Sequence, residues 1–333
     1  MYGYDIRRFC PQVSQDREWV DQRSHEAYAK NYAMVFPHDE PLAGRNMKKD
    51  PLHDILEAAG CVYQERHGWE RPGWFSRSGP CPVKQYDWYG AYDNLRNEEY
   101  GYNERLQLDY TFDHPAIEEN IRAECLATRT TAGLFNMSYF GKFYLTGPDA
   151  QAAADWVFTA PMDGMEGKTI YTCMLNKSAG IEADLTVSVI DSGEGTSADP
   201  AFSGRGFYIA AAGGAAYQNF AHIQQSIQDA GFDVKLEDRT REMGMLSLQG
   251  PTARAILEKV TSSPLDNSSF PFSTNKMVEV AGHQVRALRV SFVGEQGWEL
   301  HIPRESCVPV YLALMEVRAA IIVFIMITLI LIH

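Results

Sequence analysis

A chain of 333 residues with 45% hydrophobic and 22% charged residues carries enough apolar material for one large packed domain or two smaller ones. Its net charge of -13 and the lack of any lysine/arginine run argue against a nucleic-acid backbone or an anionic membrane surface as partner, because either needs a basic patch. Six cysteines, far apart and without a C-x-x-C pair, point away from a zinc site or a small disulfide framework and towards a reducing compartment.

The chain opens MYGYDIRRF, which has neither an apolar signal core nor an Arg/Ser-rich leader. Residues 1 to about 83 are rich in Pro, Gly, Trp and paired charges, and only short helices fit there, one after Asp16 and one from Pro51 to Ala59 with Gly60 as its stop. Residues 84–114 interleave aromatics with charges, which suits a segment laid along a surface by its rings. PAIEENIRAECLATRTTAG then places Ile117, Ile121, Cys125 and Leu126 on one helical stripe, with Gly133 past the end. KFYLTG reads as a strand and PDAQAAADWVFTA as a helix; TIYTCML and IEADLTVSVI read as a hairpin around Asn176–Gly180.

Further on, GFYIAAA is a strand, AYQNFAHIQQSIQDAG a helix burying Phe220, Ile223 and Ile227, and FDVKLED and GMLSLQG are strands. PTARAILEKV is a helix, MVEVAGHQVRALRVSF a hairpin around Gly282, and WELHIP a strand after the turn GEQG. This β-α-β-β-α-β succession predicts an α+β fold with a split βαβ unit, helices lying on one face of an antiparallel sheet. Ala319 to Ile332 is apolar apart from Thr328 but shorter than the roughly 20 residues that span a bilayer. A short tail anchor, a buried strand and an out-of-place end remain open for it.

No G-x-G-x-x-G follows a strand, and G-x-x-x-x-G-K-[ST], H-E-x-x-H and G-x-S-x-G are missing. The nine histidines include no pair at metal-ligand spacing, so no metal site is expected. What stands out is carboxylates on apolar hairpins: Glu182 and Asp184 in one, Glu295 and Glu299 in the other. With a period of 2, Ile181, Ala183, Leu185, Val187 and Val189 share one face, and Asp184 points the other way with Glu182, Thr186 and Ser188. That face is either solvated or the lining of a polar ligand cavity. Glu295 lies between Gly294 and Gly297, which allow a ligand close to the backbone or serve a turn needing positive φ.

RTTAGLFNMSYFGKFYLTG, YTCMLNKSAGIEADLTVS, GMLSLQGPTARAIL and RVSFVGEQGWELHIP resemble the landmark stretches of the folate-binding fold of the glycine-cleavage T-protein (aminomethyltransferase). Upstream, the stretch from AKNYAMVFPHDEPLAGRNMKKDPLHD to HGWERPGWF is similar to the dimethylglycine/sarcosine dehydrogenase family, and the likeness runs from Met1 to about Glu316. It implies a remnant of a flavin-oxidoreductase part over 1–105, a folate-binding domain over 106–316 and a divergent apolar tail over 317–333. It also implies a fragment that lacks the FAD-binding domain and stops before a C-terminal barrel.

By the same resemblance, Asp184 matches the acidic residue beside N10 of tetrahydrofolate that assists methylene transfer, and Tyr171 a tyrosine of the folate pocket. Glu295 matches the glutamate that binds the pterin ring, and Phe140, Phe292 and Arg289 also belong to the pocket. The family implies tetrahydrofolate as cofactor, FAD in full-length members but not on this chain, electron-transfer flavoprotein as a partner of the full-length enzyme, and the mitochondrial matrix as location. The expected activity is capture of the one-carbon unit from oxidative demethylation as 5,10-methylenetetrahydrofolate; the alternative is a non-catalytic relative like the regulatory subunit of pyruvate dehydrogenase phosphatase.

Overall fold

The computed structural model describes residues 6–9, 11–37, 39–76, 79–82, 111–115, 117–190, 206–320 and 324–327. Most of the aromatic- and charge-rich stretch at 84–114, and with it the boundary expected at 105/106, lies outside the described residues. The chain divides into two compact units, one of Met1–Arg8 with Ala127–Ile325, the other of Phe9–Leu126 with Met326–His333.

In the second unit, Asp16 caps helix α1 (Arg17–Lys30) by accepting the Trp19 amide at 2.9 Å, the N-cap role that favours Asp. The helix after Asp16 is longer than expected because buried Glu26 anchors its far end, accepting the Leu42 and Ala43 amides at 2.8 Å each. Helix α2 (His53–Ala58) stops before Gly60, whose φ is +94°. A hairpin follows that no alternation in the sequence foretells: β1 (Cys61–Arg66) and β2 (Trp69–Phe75). His67 and Gly68, both at positive φ, make the two-residue turn whose twist suits a hairpin. Glu65, Glu70 and Arg71 of the hairpin are buried, Glu70 forming a fork with Arg45 (Nη2–Oε2 2.6 Å, Nε–Oε1 3.0 Å) in which neither side chain is exposed.

The first unit, whose main segment begins at Ala127 inside helix α3 (Glu118–Thr130), holds two largely antiparallel sheets. One has strand order β5-β6-β7-β4-β8, with β4 (Gly141–Thr146), β5 (Thr169–Leu175), β6 (Ile181–Ile190), β7 (Gly206–Ala211) and β8 (Lys235–Asp238). Helices α4 (Ala150–Val157) and α5 (Ala216–Ala230) cover one face. There Phe143, Leu145, Ala153, Val157, Leu185, Val187, Val189, Phe207, Ile209, Ile223 and Ile227 form one buried cluster. The odd residues of β6 from Leu185 are therefore inward, as period 2 predicts.

The split βαβ arrangement is present, but it begins earlier in the chain than the sequence pattern placed it. It is β4-α4-β6 and β7-α5-β8, each pair of strands flanking a strand of the other. The strands after β8 belong to the other sheet, ordered β10-β11-β12-β9-β3-β13. Its strands are β3 (Ala132–Asn136), β9 (Met243–Gln249), β10 (Asn275–Val280), β11 (His283–Leu288), β12 (Gly297–Pro303) and β13 (Phe324–Ile327). Helix α6 (Ala253–Leu257) follows β9, and α7 (Cys307–Ala320) follows β12. Gly133 lies inside β3 instead of marking a helix end, and within the apolar tail β13 takes the edge position beside β3. The sheets meet through their polar faces: Tyr208 Oη lies 2.6 Å from His301 Nδ1, and Asn275 Nδ2 donates to the Val189 carbonyl. Among the described residues no helix is long and apolar enough to cross a membrane, and no His/Cys/Asp/Glu group could hold a metal.

Candidate functional site

The β5–β6 hairpin pairs Cys173 with Asp184, Tyr171 with Thr186 and Thr169 with Ser188. Residues paired across an antiparallel ladder share a face, and diagonal neighbours lie within reach of a long side chain. Tyr171 and Asp184 are such a diagonal pair, and the Tyr171 hydroxyl donates to Asp184 Oδ2 at 2.5 Å. This donation holds the tyrosine proton in place and pushes the Tyr171 pKa above its ordinary value. Deeper along the same face Ser188 and Thr169 are buried and bonded at 2.8 Å.

Both Tyr171 and Asp184 are exposed, for a topological reason. The last residues of β7 pair with β6 only as far as Thr186 opposite Ala210, so the hairpin projects past its neighbour just where these two side chains stand. Glu182, two residues before Asp184, faces Arg7 at 3.5 Å.

The other carboxylate is held separately. In the turn before β12, Glu295 Oε1 accepts a hydrogen bond from Arg129 Nη1 at 2.6 Å, and the same nitrogen donates to the Val293 carbonyl at 2.9 Å. One arginine at the end of α3 thus clamps both backbone and side chain of the turn. The flanking glycines have backbone reasons: Gly294 has φ +77°, and a Cβ on Gly297 would strike the Leu248 carbonyl of β9.

Arg289 is buried; it donates to Asn267 Oδ1 at 2.7 Å and to the Phe270 carbonyl, with its guanidinium carbon 5.5 Å from the centre of the Trp298 ring. Burial, helped by the charge of Arg254, pulls its pKa down. Phe292 is 72% exposed. Phe140 is half-buried; its ring lies 5.3 Å from that of Tyr139, and its carbonyl accepts from Lys142 Nζ at 2.6 Å.

The structure therefore brings Tyr171 and Asp184 into contact, while no hydrogen bond or ion pair among the described residues joins either of them to Glu295. Arg129 is not legible in the sequence, because its partner is 166 residues away and a basic residue in the last turn of a helix is ordinary.

Residues 52–322 match the family model described as GCVT N-terminal domain, and the chain belongs to that family. Residues 1–49 match the model described as FAD dependent oxidoreductase central domain.

More particularly, the chain is similar to mitochondrial sarcosine dehydrogenase: 54% identical to the Homo sapiens protein and 53% to that of Mus musculus. Each comparison runs over 320 residues, 96% of this chain and 35% of the relative, so the chain spans about a third of the length of these curated relatives. It is also 31% identical over 209 residues to an aminomethyltransferase of Herpetosiphon aurantiacus, covering 62% of this chain and 54% of that one. Among solved structures, glycine cleavage system aminomethyltransferase T from Bartonella henselae superposes with a TM-score of 0.58 at 21% identity, over 84% of this chain and 60% of that one. This likeness shows the fold. The α+β expectation holds, and the mitochondrial relatives support a mitochondrial location by resemblance.

Proposed function

We propose that this chain is the folate-binding part of a sarcosine-demethylating dehydrogenase of the mitochondrial matrix, capturing a one-carbon unit on tetrahydrofolate. In balance, formaldehyde and tetrahydrofolate give 5,10-methylenetetrahydrofolate and water. The oxidation that supplies the unit is assigned to the remainder of such a protein, where FAD serves in the family, with electron-transfer flavoprotein as the acceptor. The observation that carries the reading is the Tyr171–Asp184 contact of 2.5 Å at the projecting end of the hairpin. It fits this chemistry because a fixed, exposed carboxylate is a base that a ligand can reach.

On this reading Asp184 takes a proton from the folate amine as its bond to carbon forms. Tyr171 fixes the orientation of Asp184, and its ring offers a flat apolar surface to the ligand. Glu295, restrained by Arg129 on one oxygen, keeps lone pairs free for the paired N–H donors of a 2-amino-pyrimidinone edge, as a carboxylate accepts through both oxygens. Positioning supplies the larger share of the rate, because carbon at the formaldehyde oxidation level is already electrophilic.

The test is titration of the purified chain with tetrahydrofolate, beside Glu295→Gln. Saturable binding is expected, weakened roughly tenfold or more by loss of the charged acceptor. Equal affinity in the two proteins would remove Glu295 from the site.

A further inference from the structure

We propose that the seam between the two sheets of the first unit holds a binding site for a small carboxylate of formate size, with Arg286 as its receptor. Arg286 has no exposed surface. Its Nη1 donates to Asn275 Oδ1 at 2.9 Å, and its Nε and Nη2 have no hydrogen-bond partner. Those two nitrogens form one edge of the guanidinium, from which two parallel N–H bonds point, the geometry that takes both oxygens of a carboxylate. The protein uses this same edge elsewhere: Arg45 meets Glu70 through Nε at 3.0 Å and Nη2 at 2.6 Å, with both side chains fully buried. At Arg286 the arginine half of that arrangement is present, and no ion pair to a carboxylate completes it among the described residues.

The surroundings favour an anion. Arg286 is paired with His301 across β11 and β12, so the two share a face. His301 is also fully buried, bonded at Nδ1 to Tyr208, while its Nε2 has no hydrogen-bond partner and faces Glu299 Oε2 at 3.7 Å. Lys142, again without exposed surface, is close enough that its charge acts on His301 together with that of Arg286. Three nitrogens on this buried face, Arg286 Nε and Nη2 and His301 Nε2, thus lack hydrogen-bond partners. A buried guanidinium edge without acceptors is costly, and a small monocarboxylate supplies both acceptors together.

The test is thermal unfolding of the purified chain in sodium formate, against a bulky sulfonate salt at equal ionic strength. A ligand that binds only the folded state raises Tm with its concentration, here by about 2–4 °C per tenfold increase once the site is filling. The sulfonate should have no such effect, and Arg286→Met should abolish the response to formate. Because Arg286→Met could fail to fold, equilibrium dialysis of the wild-type chain with labelled formate gives a second readout, with saturation near one formate per chain expected. Equal responses to both salts, a response retained in Arg286→Met, or uptake without saturation would overturn the proposal. So would the lack of any response, which would mean that ordered water or a turned Glu299 completes Arg286.

Discussion

Two residues outside the set proposed to face the folate carry testable consequences. Arg129 joins Glu295 and the Val293 carbonyl through one nitrogen, but it is largely exposed, and exposed pairs contribute at most about 1 kcal/mol. Arg129→Gln is therefore expected to weaken tetrahydrofolate binding about fivefold or less while leaving circular dichroism unchanged, with Arg129→Lys intermediate. Titrations of the three proteins check this. His301 is pushed by burial below its ordinary pKa, against the opposing pull of Glu299 and with help from Lys142 and Arg286. A histidine kept neutral in the folded state and free to protonate when unfolded gives stability that is present above the unfolded pKa of about 6.5. That stability is lost as pH falls towards the folded value. Tm should fall between pH 7 and pH 5, and His301→Asn, measured over the same range, should fall less.

Among the secondary-structure elements, those legible in the sequence have one face buried. The hairpins β5–β6 and β10–β11 are readable because apolar residues alternate and the connecting residues mark a turn, Asn176–Gly180 in one and Gly282 in the other. The hairpin β1–β2 is not, because Glu65, Glu70 and Arg71 are buried and a pattern rule reads charged residues as solvent-facing. All five residues of β3 are buried as well, so no alternation separates it from the end of α3. The family resemblance assigns Tyr171 and Asp184 to one folate pocket together with Glu295, and pairing of Cys173 with Asp184 supplies the geometry of the contact between the first two. Arg129 and the seam around Arg286 depend on distant parts of the chain coming together, which no local pattern records.

The buried fork of Arg45 and Glu70 ties the β1–β2 hairpin to the segment before it. Removing one partner leaves an uncompensated charge at a cost of about 3–5 kcal/mol. Glu70→Ala should lower the stability of its unit by that order in urea unfolding, and the double change Arg45→Met with Glu70→Met should recover much of the loss.

For the whole molecule, the comparisons and the fold agree on a member of the GCVT N-terminal domain family that corresponds to about a third of the sarcosine dehydrogenases it matches. Its two sheets carry different parts of the proposed activity. The five-stranded sheet offers Tyr171 and Asp184, and the six-stranded sheet is followed from β11 into the clamped Glu295. The central claim is that Asp184 takes a proton during transfer. The most direct measurement is the single-turnover rate of 5,10-methylenetetrahydrofolate formation from formaldehyde and tetrahydrofolate, above the uncatalysed background, in the wild-type chain and in Asp184→Asn. Asparagine keeps an acceptor but cannot take the proton, so the rate should fall by about 10²-fold or more with tetrahydrofolate affinity nearly unchanged; equal rates in the two proteins would contradict the account.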